Sequence, residues 1–207
     1  MDIISKFLRL VFVNLLWLLC CIPVVTAGAS TCAAFAVTLR LADDDEEVQT
    51  IRGITARFFK AFRQDLFQGF LISIFTAVCA GLGGLFIYLA LDNGLNLFII
   101  VLLAVYFLVV LVLNFYSYPL IARYTNTFAN TLRNSIALFA QYANSSLKTL
   151  GFVVLEAAVL ALTFKIYFAG LLILPALIFY TISRTAKDIF FKLENPQKSE
   201  DDSPVAE

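Results

Sequence analysis

Residues 14–30 read NLLWLLCCIPVVTAGAS, and the break at Pro23 decides how the start of the chain folds. The stretch is apolar like a membrane helix up to the proline. Proline cannot donate a helical hydrogen bond and disfavours helix at the preceding residue, which predicts that the first helix ends near Ile22. Ser30 has the side chain of a helix N-cap. We therefore expect a second helix, TCAAFAVTLRL, that runs along or back into the membrane interface.

Asn14 is a polar residue near the start of this apolar run. An amide in such surroundings is expected to form a hydrogen bond with another helix. Asn14 is therefore a candidate intramembrane polar residue, either as a contact between helices or as part of a substrate path.

The composition predicts an integral membrane protein whose main environment is the lipid bilayer. The chain has 207 residues, is 61% hydrophobic and contains 21 phenylalanines, and its mean hydropathy is +0.88, which exceeds what a water-soluble core needs. Lys plus Arg and Asp plus Glu number 15 each, so no net charge favours nucleic acid as a partner. The chain has no histidine, which removes the commonest metal ligand and every imidazole-based triad. We expect no enzyme activity, no cofactor and no metal site.

Five apolar segments have about the length that a membrane crossing requires. They cover residues 7–27, 66–91, 95–122, 149–164 and 168–183, and the last two form a hairpin that turns near Lys165. Four or six crossings are the neighbouring alternatives. The predicted fold class is an all-α membrane protein with about five transmembrane helices and cytoplasmic amphipathic helices between the spans. A single helical membrane domain covers residues 1–185, and a polar cytoplasmic tail, disordered at its end, covers residues 186–207.

The positions of Lys and Arg predict the orientation of the spans. All of them except Lys6, Arg9 and Lys165 lie between the first two spans, after the third span or in the tail. The C-terminus is therefore expected in the cytoplasm, and five full crossings place the N-terminus outside. If the first segment instead dips into the membrane and returns at Pro23, Lys6 and Arg9 join the cytoplasmic charges. Both arrangements remain open at this point.

A basic amphipathic helix is predicted just before the second span. Five apolar residues recur at helical spacing on one face: Ile51, Ile54, Phe58, Phe62 and Leu66. Such a helix lies in the membrane interface with its cations near anionic headgroups, or it docks a cytoplasmic partner. The candidate residues for this surface are Arg52, Arg57, Phe58, Lys60, Phe62 and Arg63.

Glu156 is the one acidic residue well inside an apolar segment. It lies eight residues beyond Lys148, or roughly 12 Å at the rise of an α-helix, where an ionised carboxylate is costly. We expect a protonated carboxyl, or one paired with a polar group of another helix such as Asn114. Together with Asn14, these two residues form a candidate intramembrane polar site, which serves either function or packing.

The sequence resembles the YesL-like family of small bacterial membrane proteins. The resemblance rests on NLLWLLCCIPVVTAGAS, on the following AAFAVTLRL and on FFKAFRQDLFQGF. It implies a multi-pass protein of the bacterial inner membrane, often encoded beside carbohydrate ABC importers and polysaccharide-degrading enzymes, with no settled activity and no catalytic residues to transfer.

From the resemblance we expect a non-catalytic accessory of carbohydrate uptake. Its partners would be subunits of a carbohydrate ABC importer, contacted through the helices at residues 30–41 and 51–66. The alternative is a small transporter or channel, which would be a homo-oligomer because five short helices enclose little pathway alone.

Overall fold

A computed structural model of the protein describes residues 3–92, 96–166 and 173–195. These residues contain no β-strand, and the predicted all-α fold class is confirmed. The helices are α1 (Ile3–Cys21), α2 (Ala27–Ala42), α3 (Ile51–Gln64), α4 (Leu66–Asp92), α5 (Leu97–Phe115), α6 (Ser117–Arg123), α7 (Phe128–Gln141), α8 (Ala143–Ile166) and α9 (Leu174–Glu194). Short 3₁₀ turns at Val24–Thr26 and Glu46–Val48 precede α2 and α3.

Five helical segments in the described part of the chain are long and apolar enough to cross a membrane. They are Ile4–Cys21, Val24–Ala42, Leu66–Asp92, Leu97–Arg123 and Ala143–Leu162. The number agrees with the sequence prediction, but the set differs. The segment containing α2 belongs to it, whereas the predicted fifth span at 168–183 does not; part of that stretch lies outside the described residues.

The turn at Pro23 forms as predicted, but Ser30 is not the cap of the second helix. The first helix ends at Cys21, and α2 begins at Ala27, before Ser30. The Ser30 hydroxyl instead donates a hydrogen bond to the carbonyl oxygen of Trp17, 3.0 Å away, and the Trp17 indole donates to the Thr31 hydroxyl at 3.1 Å. These bonds join α1 and α2 as the two arms of a helical hairpin.

The α2 helix is the buried centre of the fold, so the prediction that it runs along the interface is wrong. It contacts α1, α3, α4, α6 and α9, and most of its residues are buried. Its sequence, AGASTCAAFAVTLRLA, is rich in alanine, serine and threonine. Because these side chains are small, neighbouring helices can approach α2 closely on several sides.

The closest of these approaches is between Gly28 on α2 and Gly69 on α4. A Cβ atom on Gly28 would lie 2.0 Å from the Gly69 carbonyl oxygen, and one on Gly69 would lie 2.7 Å from the Ala29 nitrogen. Both distances are far shorter than any van der Waals contact. The α2–α4 crossing therefore requires glycine on both helices.

The start of α1 and the later part of α9 lie at the same end of the molecule. Lys6 forms a salt bridge with Asp44 at 2.7 Å, and Lys187 forms one with the adjacent Asp43 at 3.4 Å. Five full crossings would separate the N-terminus from the C-terminus. These contacts place both chain ends at one end of the molecule, which fits either a first segment that returns at Pro23 or the alternatives of four or six crossings.

The C-terminal hairpin is present, with different limits from those predicted. The α8 and α9 helices run antiparallel, since Thr149 bonds to Thr185 and Glu156 bonds to Thr181. The α8 helix continues through Lys165 to Ile166, and residues 167–172 lie outside the described part. The α9 helix continues beyond residue 186, where the tail was predicted to start, because its apolar side chains there are needed in the core: Ile189 and Phe190 are buried.

Replacing Gly28 by alanine is expected to destabilise the fold by about 1–3 kcal/mol, the usual cost of overpacking. The matched control is Gly84→Ala on α4, because nothing lies within 4 Å of a Cβ added there. The control should be neutral or slightly stabilising. Thermal unfolding of both variants in the same detergent measures the difference. Equal melting temperatures would show that the α2–α4 crossing does not depend on glycine.

The shared position of Lys6 and Lys187 predicts the same membrane side for both chain ends. A topology reporter fused before residue 3 and one fused after residue 195 should give the same response in cells. A reporter inserted after Asp92, at the end of the long α4 helix, should give the opposite response. Opposite responses from the two ends would restore the model of five full crossings.

Candidate functional site

The C-terminal end of α2 carries a network of ion pairs. Arg40 bonds to the Asp45 carboxylate at 2.7 Å and also to Glu47. The other Asp45 oxygen accepts a hydrogen bond from the Glu47 backbone N–H at 2.9 Å. The chain turns here through Asp44, which has a positive φ of 54°. The acidic run after α2 is therefore held in place by the helix that precedes it.

Arg123 extends this network to the end of α9. Its guanidinium makes two hydrogen bonds to the Glu194 carboxylate, at 3.0 and 2.8 Å, and the Tyr124 hydroxyl donates to the same carboxylate at 2.6 Å. The bonds from Arg123, followed by that from Tyr124, lower the pKa of Glu194. Burial and the neighbouring Glu194 raise the pKa of Tyr124 to about 12. Glu194 thus stays ionised and Tyr124 neutral at physiological pH.

Arg57 points from α3 into a charged cleft of about 300 Å³ whose lining includes Arg40, Asp43, Asp45 and Arg123. Arg57 forms no salt bridge with a described residue, and its buried Nε has no hydrogen-bond partner among them. Burial, with the charge of Arg40 as the next cause, lowers the pKa of Arg57. This arginine belongs to the interior side of α3 and is not available on its outer surface.

Of the other residues predicted to form the α3 surface, the two phenylalanines pack in the protein core and the three cations are exposed to solvent. Phe58 is fully buried against α2, and Phe62 packs against the same hydrophobic cluster. Arg52, Lys60 and Arg63 are exposed on the outer side. At the end of the helix, burial raises the pKa of Asp65 to about 6, although the charge of Arg57 opposes this shift. The phenylalanine face therefore contacts protein, and the three outer cations form what we call the α3 basic face.

Asn114 and Glu156, two residues of the candidate intramembrane polar site, form hydrogen bonds with different partners. Asn14 is fully buried on α1. The Asn114 side-chain oxygen accepts a hydrogen bond from the Thr76 hydroxyl at 2.6 Å, and its amide donates to the Val110 carbonyl at 2.8 Å. Asn114 therefore joins α5 to α4, and it is not the partner of Glu156.

Glu156 is paired with Thr181 of α9. The Thr181 hydroxyl donates to one Glu156 oxygen at 2.7 Å; the second oxygen is buried and has no hydrogen-bond partner in the described part of the chain. Thr181 was missed by the sequence analysis. The available signal was the recurrence of threonine at Thr181 and Thr185, four residues apart on one face of a helix.

Glu156 lies at one end of a groove between α8 and α9. The groove has a volume of about 490 Å³, and the Thr149 and Thr185 hydroxyls share a hydrogen bond of 2.6 Å beside it. Residues from both helices line it, including Lys148, Arg184, Asp188 and Lys192. The arrangement can bind a polar or charged group, and it brings a carboxyl close to several hydroxyls.

The described residues define an all-α protein with five helical segments of membrane-spanning length and ion pairs concentrated at one end. The model of a family described as "Protein of unknown function, DUF624" matches residues 10–88. The matched region covers less than half of the chain and includes both glycines of the α2–α4 crossing. It supports a relationship to an uncharacterised family. No curated protein and no solved structure matches the chain.

Glu156→Gln is expected to fold normally, with a change in unfolding free energy of about 0.5 kcal/mol or less, because glutamine still accepts the hydrogen bond from Thr181. Glu156→Ala leaves the Thr181 hydroxyl without this partner and should cost about 1–3 kcal/mol. Thermal unfolding in detergent and sugar-dependent growth test both variants. We expect growth to be retained with glutamine. Loss of growth at wild-type abundance would show that a purely structural role for Glu156 is wrong.

Proposed function

We propose that this protein is a multi-pass bacterial inner-membrane protein, with its C-terminus in the cytoplasm, that serves as a non-catalytic accessory of carbohydrate uptake. The observation that carries the proposal is the α3 basic face. Arg52, Lys60 and Arg63 are exposed on a helix whose Ile54, Phe58 and Ala61 are buried. None of the three forms a salt bridge with a described residue.

The membrane placement is supported by the side chains that α4 and α5 expose. Large apolar residues cover both helices, among them Leu85, Phe86, Leu102 and Val105, each more than half exposed. A continuous apolar surface of this kind is unfavourable in water and is stable in lipid. The hairpin of α4 and α5 is therefore the part of the chain best suited to crossing the bilayer.

Docking of a protein partner is favoured over simple anchoring of α3 in the membrane. An anchoring helix inserts its apolar face into the lipid, but Ile54 and Phe58 of α3 are fully buried in the protein. The outer side retains the three cations and Phe59, which is 40% exposed. Cations beside an exposed aromatic ring suit an acidic protein surface. In view of the YesL-like resemblance, we assign this surface to a subunit of a carbohydrate ABC importer.

The other helix that we expected to contact the partner is not available for this role. Residues 30–41 lie in α2, which is surrounded by five other helices. The proposed docking surface is therefore limited to α3.

A small oligomeric transporter is the second candidate, and Glu156 is the observation that favours it. One of its oxygens is buried and has no hydrogen-bond partner among the described residues, and Glu156 lines the groove between α8 and α9, where a carboxyl can take up and release a proton or cation. In that case Glu156→Gln would abolish transport while leaving the fold intact.

Charge reversal on α3 tests the docking proposal. Arg63→Glu, alone and combined with Lys60→Glu, should reduce the amount of importer subunit that co-purifies in mild detergent by about tenfold or more, because like charges would then face each other. The matched control is Arg133→Glu, which reverses an exposed charge on α7. It should not change co-purification.

The same purification separates the two candidate functions. A stable homo-oligomer that conducts sugar in liposomes, without importer subunits, would support the transporter instead. A monomer with neither partner nor flux would contradict both candidates.

A further inference from the structure

The groove between α8 and α9 is built from one face of each helix. On α8 the lining residues include Tyr142, Ser145, Thr149, Phe152 and Glu156, which are three or four positions apart and therefore lie on one side. The α9 residues that face them include the hydroxyls of Thr181 and Thr185. Hydrogen bonds between the two helices, from Thr181 to Glu156 and between Thr149 and Thr185, hold these faces together.

Three cations line the groove toward the end where Lys192 lies, with Arg184 one turn from Thr181. These cations, Lys148, Arg184 and Lys192, are exposed, and none of them forms a salt bridge with a described residue. Asp188 is the carboxylate that lines this end with them. Three cations against one carboxylate leave an excess of positive charge, which favours an anionic ligand. The guanidinium of Arg184 adds the fork geometry that suits a phosphate group.

Large apolar side chains are exposed along α8, from the turn that holds Lys148 to beyond Glu156. Leu147, Phe152, Leu155 and Leu162 are all more than half exposed, and Phe152 also lines the groove. A ligand that extends from the cations onto this surface therefore meets hydroxyl groups and positive charge first, and hydrocarbon side chains next. A phospholipid with an anionic headgroup matches this arrangement, because its charged headgroup is followed by hydrocarbon chains.

We propose that the groove between α8 and α9 binds one anionic phospholipid. The phosphate lies between Lys148 and Arg184, the headgroup hydroxyls face Tyr142 and Ser145, and an acyl chain follows Phe152 and Leu155 along α8. Basic pockets between membrane helices bind acidic lipids for the same electrostatic reason. This inference rests on the membrane placement proposed above, but it does not depend on the importer partner.

Lipid-dependent thermal stability tests the site. The full-length protein is delipidated in mild detergent, and its melting temperature is measured against increasing phosphatidylglycerol, phosphatidylcholine or glycerol 3-phosphate. We expect phosphatidylglycerol to raise the melting temperature, because a ligand that binds only the folded state stabilises it. The other two should have no comparable effect at the same concentration.

Removal of the groove cations should weaken this response. Arg184→Gln and Lys148→Gln should each raise the half-saturating phosphatidylglycerol concentration by about fivefold, and together by more. Arg133→Gln removes an exposed cation on α7 and serves as the matched control, with no expected change. Higher salt should also weaken the response, since the cations are exposed.

Three outcomes would overturn the lipid site. They are an equal response to phosphatidylcholine, an equal response to glycerol 3-phosphate, which would indicate a soluble phosphate ligand, and unchanged binding in the Arg184→Gln and Lys148→Gln variants. Flotation with phosphatidylcholine vesicles separates these results from a failure of the membrane placement. A protein that inserts into vesicles but lacks the lipid response contradicts only the lipid site; one that does not insert contradicts both proposals.

Discussion

The close contact between α2 and α4 at Gly28 and Gly69 is the constraint on which the rest of the fold depends. A Cβ atom added to Gly28 would lie only 2.0 Å from the Gly69 carbonyl oxygen, so the backbones of α2 and α4 are in direct contact there. Such an approach gains dispersion energy along the whole crossing, and it is open only to helices with glycine at the point of contact. Because α2 is narrow along its length, α1, α3, α6 and α9 can pack around it as well.

Burial of α2 determines where the charges of the protein lie. A helix that is surrounded on all sides can carry ionised groups only at its ends, and α2 ends in Arg40 and the acidic run at residues 43–47. The acidic run forms salt bridges with cations from distant parts of the chain, namely Lys6 from α1, Arg123 from α6 and Lys187 from α9. Each such pair is partly exposed and contributes little stability by itself. Their combined effect is to fix which helix ends are neighbours.

The two proposed binding surfaces follow from this arrangement. The α3 helix packs Ile54 and Phe58 against the core around α2, so the cations of the α3 basic face point away from the core. The α8–α9 hairpin reaches from the charged end into the apolar part of the molecule, and its groove is therefore lined by both cations and a carboxyl. Both surfaces combine charge with neighbouring apolar side chains, which is the chemistry found where protein, lipid headgroup and hydrocarbon meet.

The sequence by itself determined the all-α class, four of the five span-length segments in the described residues, the break at Pro23 and the amphipathic nature of α3. These features depend on local properties: hydropathy over about 20 residues, the geometry of proline and the helical period. The sequence also identified Glu156 and Asn114 as polar residues within apolar helices. It could not identify their partners, because Thr181 and Thr76 are 25 and 38 positions away.

Only the tertiary structure decided which apolar helix is buried and which faces outward. Hydropathy scores α2 below α4 and α5 because its residues are small, yet small residues are what allow α2 to occupy the centre. The same limitation left the path of the first segment open, since the contact between Lys6 of α1 and Asp44, in the turn after α2, is not local in sequence. Burial depends on how many helices converge on a residue, and no local pattern encodes that number.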